Sequence, residues 1–131
     1  MSIANESNRP QISHRLGDIA ADATFLVAYA HKSLLILSAR IVAHVAVAAG
    51  SQADHVDFKL IDRAADGTEN DVGTVVSTEG QGVAKGASLE LTVPDEYELD
   101  EGHSLVLSAD VTGNGTFNPC FLSLDIQVRG S

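Results

Sequence analysis

Several short segments of the chain alternate apolar and polar residues with a period of two. In FLSLDIQVR, Leu122, Leu124, Ile126 and Val128 fall on one side, with Ser123, Asp125, Gln127 and Arg129 on the other. VDFKLID places Val56, Phe58 and Leu60 opposite Asp57 and Lys59. SLVLSADV sets Leu105, Leu107, Ala109 and Val111 against Ser104, Ser108 and Asp110, and ASLELTV repeats the pattern through Leu89, Leu91 and Val93. Period two with one apolar side is the mark of a half-buried strand.

The stretch SLLILSARIVAHVAVAAG, residues 33 to 50, is the most apolar. A membrane-spanning helix needs about 20 predominantly apolar residues. The apolar part here is shorter and carries Arg40 and His44 near its middle, where a charge in lipid is costly. A buried helix would gather Ser33, Arg40 and His44 on a narrow polar face. Alternation describes the run equally well: Leu35, Leu37, Ala39, Ile41, Ala43, Val45 and Val47 form one apolar series. Its strand-like neighbours decide the matter, and the run is expected to be a long strand, bent or bulged near its middle. Apolar residues on both of its sides leave two readings: a strand buried on both faces by its own domain, or one that also meets a second subunit.

Turn chemistry separates the segments: ADGT at 65 to 68, DVG at 71 to 73, EGQG at 79 to 82, DEG at 100 to 102 and GNG at 113 to 115. The expected fold is all-β, an antiparallel β-sandwich, jelly-roll-like, of about eight strands. TFLVAYA reads as its first strand, with Phe25, Val27 and Tyr29 on one side. Residues 1 to 22 are polar, broken by Pro10 and Gly17, and are read as an N-terminal arm; residues 23 to 131 form the single domain. Within the arm, Ile12, Leu16 and Ile19 make a small apolar edge on a short helical turn. That edge fits either a frayed terminus or a segment ordering against a neighbour.

A net charge of -10 argues against gripping nucleic acid, which takes clustered Lys and Arg, and against an anionic membrane surface. One cysteine, Cys120, cannot form an intrachain disulfide and reads as a small core residue. The N-terminal residues lack the basic start and apolar middle of a secretory signal, so assembly inside a cell is expected.

Chemistry-bearing motifs are sparse. His14, His31, His44, His55 and His103 show no metal-ligand spacing, although His44 and His55 could meet with Asp54 or Asp57 if their strands pair. DEYELDE offers Asp95, Glu96, Glu98, Asp100 and Glu101 to a calcium ion, but without an EF-hand pattern it reads first as a solvated acidic face. There is no GxSxG elbow and no Gly-rich phosphate cradle. No catalytic, cofactor-binding or metal residue is therefore nominated, and the chain is expected not to be an enzyme. The candidate assembly contacts are Ile12, Leu16, Ile19, Leu34, Ile36 and Val42.

The polar arm leading into TFLVAYA, the run SLLILSARIVAHVAV, then DHVDFKLIDRAADG, LELTVPDEYELDEGHSLVLSADVTGNG and CFLSLDIQVRG together resemble small β-sandwich structural proteins of tailed bacteriophages, of the capsid-decoration and head-fibre-base type. The likeness is one of layout over most of residues 24 to 130. It implies a virion protein, made in the host cytoplasm and seated on the outer capsid surface as a homotrimer, where it contacts the major capsid protein and stabilises the shell. No cofactor, nucleic acid or membrane is implied. The alternative is a carbohydrate- or receptor-binding module, fibre- or lectin-like, with Asn70, Asp71, Asn114, Asn118 or Tyr97 exposed around a cleft.

Overall fold

The computed structural model describes residues 11 to 95 and 97 to 128, with ten strands and no helix among them. These are β1 (Gln11–Ile19), β2 (Ala23–Tyr29), β3 (Leu34–Ala43), β4 (His55–Arg63), β5 (Glu69–Asp71), β6 (Val76–Ser77), β7 (Ser88–Leu91), β8 (Tyr97–Leu99), β9 (Ser104–Thr112) and β10 (Phe117–Val128). The first sheet runs β1-β10-β3-β7, with β8 also on β3. The second runs β2-β9-β4-β5, with β6 also on β4. Every pairing is antiparallel. Because β5 with β6, and β7 with β8, share one lateral position each, the ten strands fill eight places. That order is a jelly roll, two four-place sheets face to face.

The alternating segments supply the core as their pattern requires. Val56, Phe58 and Leu60 of β4, Leu105, Leu107 and Ala109 of β9, and Leu122, Leu124 and Ile126 of β10 are all buried in one cluster. Leu89 and Leu91 join them from β7. Phe58 and Phe117 meet edge to face between the sheets, with ring centroids 5.3 Å apart, a contact worth about 0.5–1.5 kcal/mol beyond burial.

Three expectations are corrected. Residues 1 to 10 of the expected arm lie outside the described residues, but Gln11–Ile19 is a strand of the first sheet, paired with β10. Ile12, His14 and Leu16 alternate inward, and two register shifts around Gly17 carry the chain on to Ile19. The domain therefore begins before residue 23. The long apolar run is strand only from Leu34 to Ala43, since Ala43 then bonds the Gly86–Ala87 turn and Val47 bridges to Val83. A shift opposite Asp125 and Ile126 leaves Leu37 as the extra residue. Leu34 and Ile36 consequently join the cluster between the sheets, while Leu35 is buried outside that cluster and Val45 is exposed. In β2 a similar shift between Leu26 and Ala28 turns Tyr29 outward, away from the core side shared by Phe25 and Val27.

Candidate functional site

The sandwich has two loop-bearing ends and two outer faces. At one end a buried carboxylate joins the sheets. Asp62, at the close of β4, accepts a hydrogen bond from Tyr97 Oη (2.7 Å), and His103 Nδ1 lies 2.7 Å from its other oxygen, a contact that requires a proton on Nδ1. Tyr97 stands on the first sheet and Asp62 on the second. Burial, then Asp62, raises the Tyr97 phenol pKa well above its usual value. Both carboxylate oxygens are engaged in holding the fold.

At the opposite end the loops after β3, β6 and β9 enclose a small cleft of about 180 Å³, lined by Gly50, Asp54, His55, Thr78, Asn114 and Gly115 among others. Asp54 Oδ1 accepts the Asn114 backbone N–H at 2.8 Å, and Thr78 Oγ1 accepts that of Val56 at 3.0 Å. His55 Nδ1 donates to the Ser51 carbonyl (3.0 Å), while Nε2 lies 3.5 Å from Asp57 Oδ2 and Nδ1 4.0 Å from Glu79 Oε1. The Ser51 carbonyl, followed by those carboxylates, raises the imidazole pKa above 6.5 against an opposing effect of burial. The arrangement ties three loops together.

The outer face of the first sheet carries a polar network and a groove. Asp125 accepts hydrogen bonds from Ser38 Oγ (2.7 Å) and Gln11 Nε2 (2.9 Å) and lies 3.7 Å from Arg40. Arg40 also approaches Glu90 at 3.4 Å. The groove, about 420 Å³, lies beside the β1 irregularity and is lined by Arg15, Gly17, His44, Cys120 and Phe121. Arg15, Phe121 and Val42 stand in one cross-strand row. Phe121 is 36% exposed, and Arg15 makes no ion pair among the described residues. Cys120 turns into the core with Sγ 3.7 Å from the Gly17 carbonyl, and burial pushes its thiol up to about 12. A raised thiol pKa disfavours the reactive thiolate. The groove offers a cation beside an apolar ring, which suits contact with a protein surface more than reaction.

Of the candidate assembly contacts, Leu16, Ile19, Leu34 and Ile36 are buried in the core of their own chain. Ile12 is half-buried against it. Core packing engages these four side chains within their own chain. Val42 alone of the six stands half-buried on an outer face, next to Phe121. His44 and His55 do not meet: His44 lines the groove and His55 the cleft. Among the described residues no three His, Cys, Asp or Glu side chains converge as for a metal. Asp95, Glu98, Asp100 and Glu101 are exposed, and Glu96 lies outside the described set.

The residues expected around a glycan cleft are also separated. Asn70 pairs with Asp62 and Tyr97 bonds it, at one end, whereas Asn114 borders the cleft at the other. The side chain of Asn118 is outside the described set. Phe121 and Arg15 were not nominated from the sequence. The available signal was an aromatic residue in the polar series of FLSLDIQVR.

No protein-family model matches this chain, and neither does any curated protein. Similar solved structures include that of the infectious bursal disease virus Gx strain, 13% identical over 94% of this chain and 32% of that one, with a TM-score of 0.47. An aminopeptidase from the marine sediment archaeon Thaumarchaeota archaeon is 11% identical over 82% of this chain and 25% of that one, with a TM-score of 0.41. The CBM22-1 xylan-binding domain of Paenibacillus barcinonensis Xyn10C is 15% identical over 92% and 94%, with a TM-score of 0.37. The chain thus spans a third or less of the first two and nearly all of the third. These likenesses carry no functional argument, which rests on the surfaces described above.

Proposed function

We propose that this chain is a non-enzymatic structural protein of a virion that binds the outer capsid surface as a homo-oligomer and stabilises the shell. The observation that supports this reading is the groove on the first sheet, where exposed Phe121 lies beside Arg15, which makes no ion pair among the described residues, with half-buried Val42 next to Phe121 in the same cross-strand row. An aromatic anchor flanked by Arg is the composition of a protein contact. The buried carboxylate Asp62, by contrast, is engaged within the fold. The partner is a major capsid protein, and neither nucleic acid nor a cofactor takes part.

Co-sedimentation of the purified protein with undecorated capsids tests the reading. Retention is expected at micromolar concentration and is expected to fall at least about tenfold in Phe121→Lys. Failure of the wild-type chain to sediment with the shells overturns it.

A carbohydrate-binding role is the second reading, favoured by one observation: the cleft lined by Asp54, His55, Thr78 and Asn114. Glycan-array binding lost in Asn114→Ala supports that reading, and a silent array removes it.

A further inference from the structure

We infer that strand β2 is the self-association surface of this protein, pairing antiparallel with β2 of a second copy about a two-fold axis. Edge strands leave backbone groups ready to pair with another chain, and soluble proteins guard them with charge, proline or brevity. In β1, His14, Arg15 and Asp18 supply charged or ionisable groups on the outer edge of the first sheet. At the far side of that sheet, β7 and β8 are short and carry Glu90 and Glu98. In the second sheet β5 reads END and β6 has two residues. The remaining edge, β2, is seven residues long, ATFLVAY, with no charged residue and no proline.

The same strand carries two of the exposed large apolar side chains, Leu26 at 59% and Tyr29 at 51%. Leu26 opposes Val106, which in turn opposes Ile61, so an apolar row crosses the outer face and ends at an edge that is unpaired among the described residues. Val106 and Ile61 are buried and Leu26 is not. A strand added beyond β2 covers the member of the row left in water.

Charge selects a second copy as that strand. A chain of net charge -10 repels its own copies over most of its surface, and least where charge is absent. Asp22 immediately precedes β2, and Lys32 lies just past its end. Antiparallel pairing brings the start of one strand to the end of the other, setting Asp22 of each copy near Lys32 of its mate. Leu26 is the middle residue of the seven, so an axis at the strand centre places the two Leu26 side chains together. Such a contact is isologous and closes after two copies. It gives pairs in place of the trimer that the phage resemblance implies. The β2 irregularity at Val27 shortens the regular edge, so a small contact and micromolar association are expected.

This inference rests on the assembly reading only for its biological meaning, and the contact is measurable on the purified chain. Size-exclusion chromatography with light scattering, from about 5 to 500 µM, is expected to show monomer passing to dimer. Leu26→Lys, an exposed change, is expected to raise the dimer dissociation constant at least about tenfold with the thermal midpoint unchanged. Lys32→Asp, which leaves the hydrogen bond from Val111 N–H to Asp22 in place, is expected to weaken the dimer. A monomer throughout, a trimer, or a dimer indifferent to Leu26→Lys overturns the inference. Dimers that fail to sediment with capsids sink the proposed function and leave this contact standing; monomers that sediment sink this contact and the homo-oligomeric part of the proposed function, and leave capsid binding standing.

Discussion

Tyr97 Oη lies 2.7 Å from Asp62 Oδ2, and this one hydrogen bond joins a strand of the first sheet to a strand of the second. Its acceptor is a buried carboxylate that His103 satisfies from the other side. Tyr97→Phe keeps the ring and removes the donor, and is expected to lower unfolding free energy by about 1.5–3 kcal/mol. Because the folded phenol pKa is raised, the contribution is complete below the usual value of 10.0 and is lost as pH rises further. Denaturant titrations should show the wild type falling more steeply than Tyr97→Phe at high pH. Parallel curves contradict the assignment.

His55 has a pKa above 6.5, held up by the Ser51 carbonyl and the Asp57 and Glu79 carboxylates. For a raised base the added stability is complete below the unfolded value and disappears as pH rises through the folded one. Relative to His55→Gln, the wild-type protein is expected to lose stability from pH 6.5 upward. NMR titration of the ring gives the direct check: a midpoint at or below 6.5 means that the three partners do not act on it.

Asp125 behaves in the opposite sense. Ser38, Gln11 and Arg40, in that order, hold its carboxyl below 3.8 despite partial burial. Stability from this group is present above that value and is lost as pH falls through the folded pKa. Asp125→Asn is expected to cost about 1 kcal/mol at neutral pH, a value kept small by solvent screening at the sheet surface. The acid limb of its stability curve should be shallower than that of the wild type, as read by urea unfolding between pH 2.5 and about 5.

Gly115 is packed where a Cβ would collide with the His55 backbone. Gly115→Ala is therefore expected to displace the loop between β9 and β10 and cost about 1–3 kcal/mol. The accompanying loss of the Asp54–Asn114 hydrogen bond should appear as faster amide exchange at Asn114. An unchanged thermal midpoint would show that the loop gives way freely.

The parts of the fold that were legible are those where one buried face imposes period two. Val56, Phe58 and Leu60, or Leu122, Leu124 and Ile126, could be placed inward from their spacing alone, and the core contains them all. A bulge was expected in the long apolar run, but where it falls was not legible, because one extra residue exchanges the faces without altering composition. That is why Leu35 and Tyr29 were assigned to the wrong series. Strand β1 was hidden for two reasons: His14 occupies an inward position, and the irregularity at Gly17 leaves Ile12, Leu16 and Ile19 at helix-like spacing.

The surfaces were less legible than the core. Tyr97, Asp62 and His103 come together from three segments, and no local spacing announces the meeting. Phe121 sits in an outward series, so its alternation marks it as exposed, but only the neighbouring bulge in β1 makes a groove beside it. The charge of β2 could be read from ATFLVAY at once; that β2 is an edge could not, since edges are properties of sheet order.

Strand β10 lies between β1 and β3, hydrogen-bonded to both. On a ribosome, the first sheet therefore lacks its middle until residues 117 to 128 have emerged. Until then β1 has no neighbour to pair with, and one edge of β3 is left unpaired. A topology this non-local folds slowly, in milliseconds to seconds. Truncation within β10 is therefore expected to yield aggregates instead of a smaller folded protein.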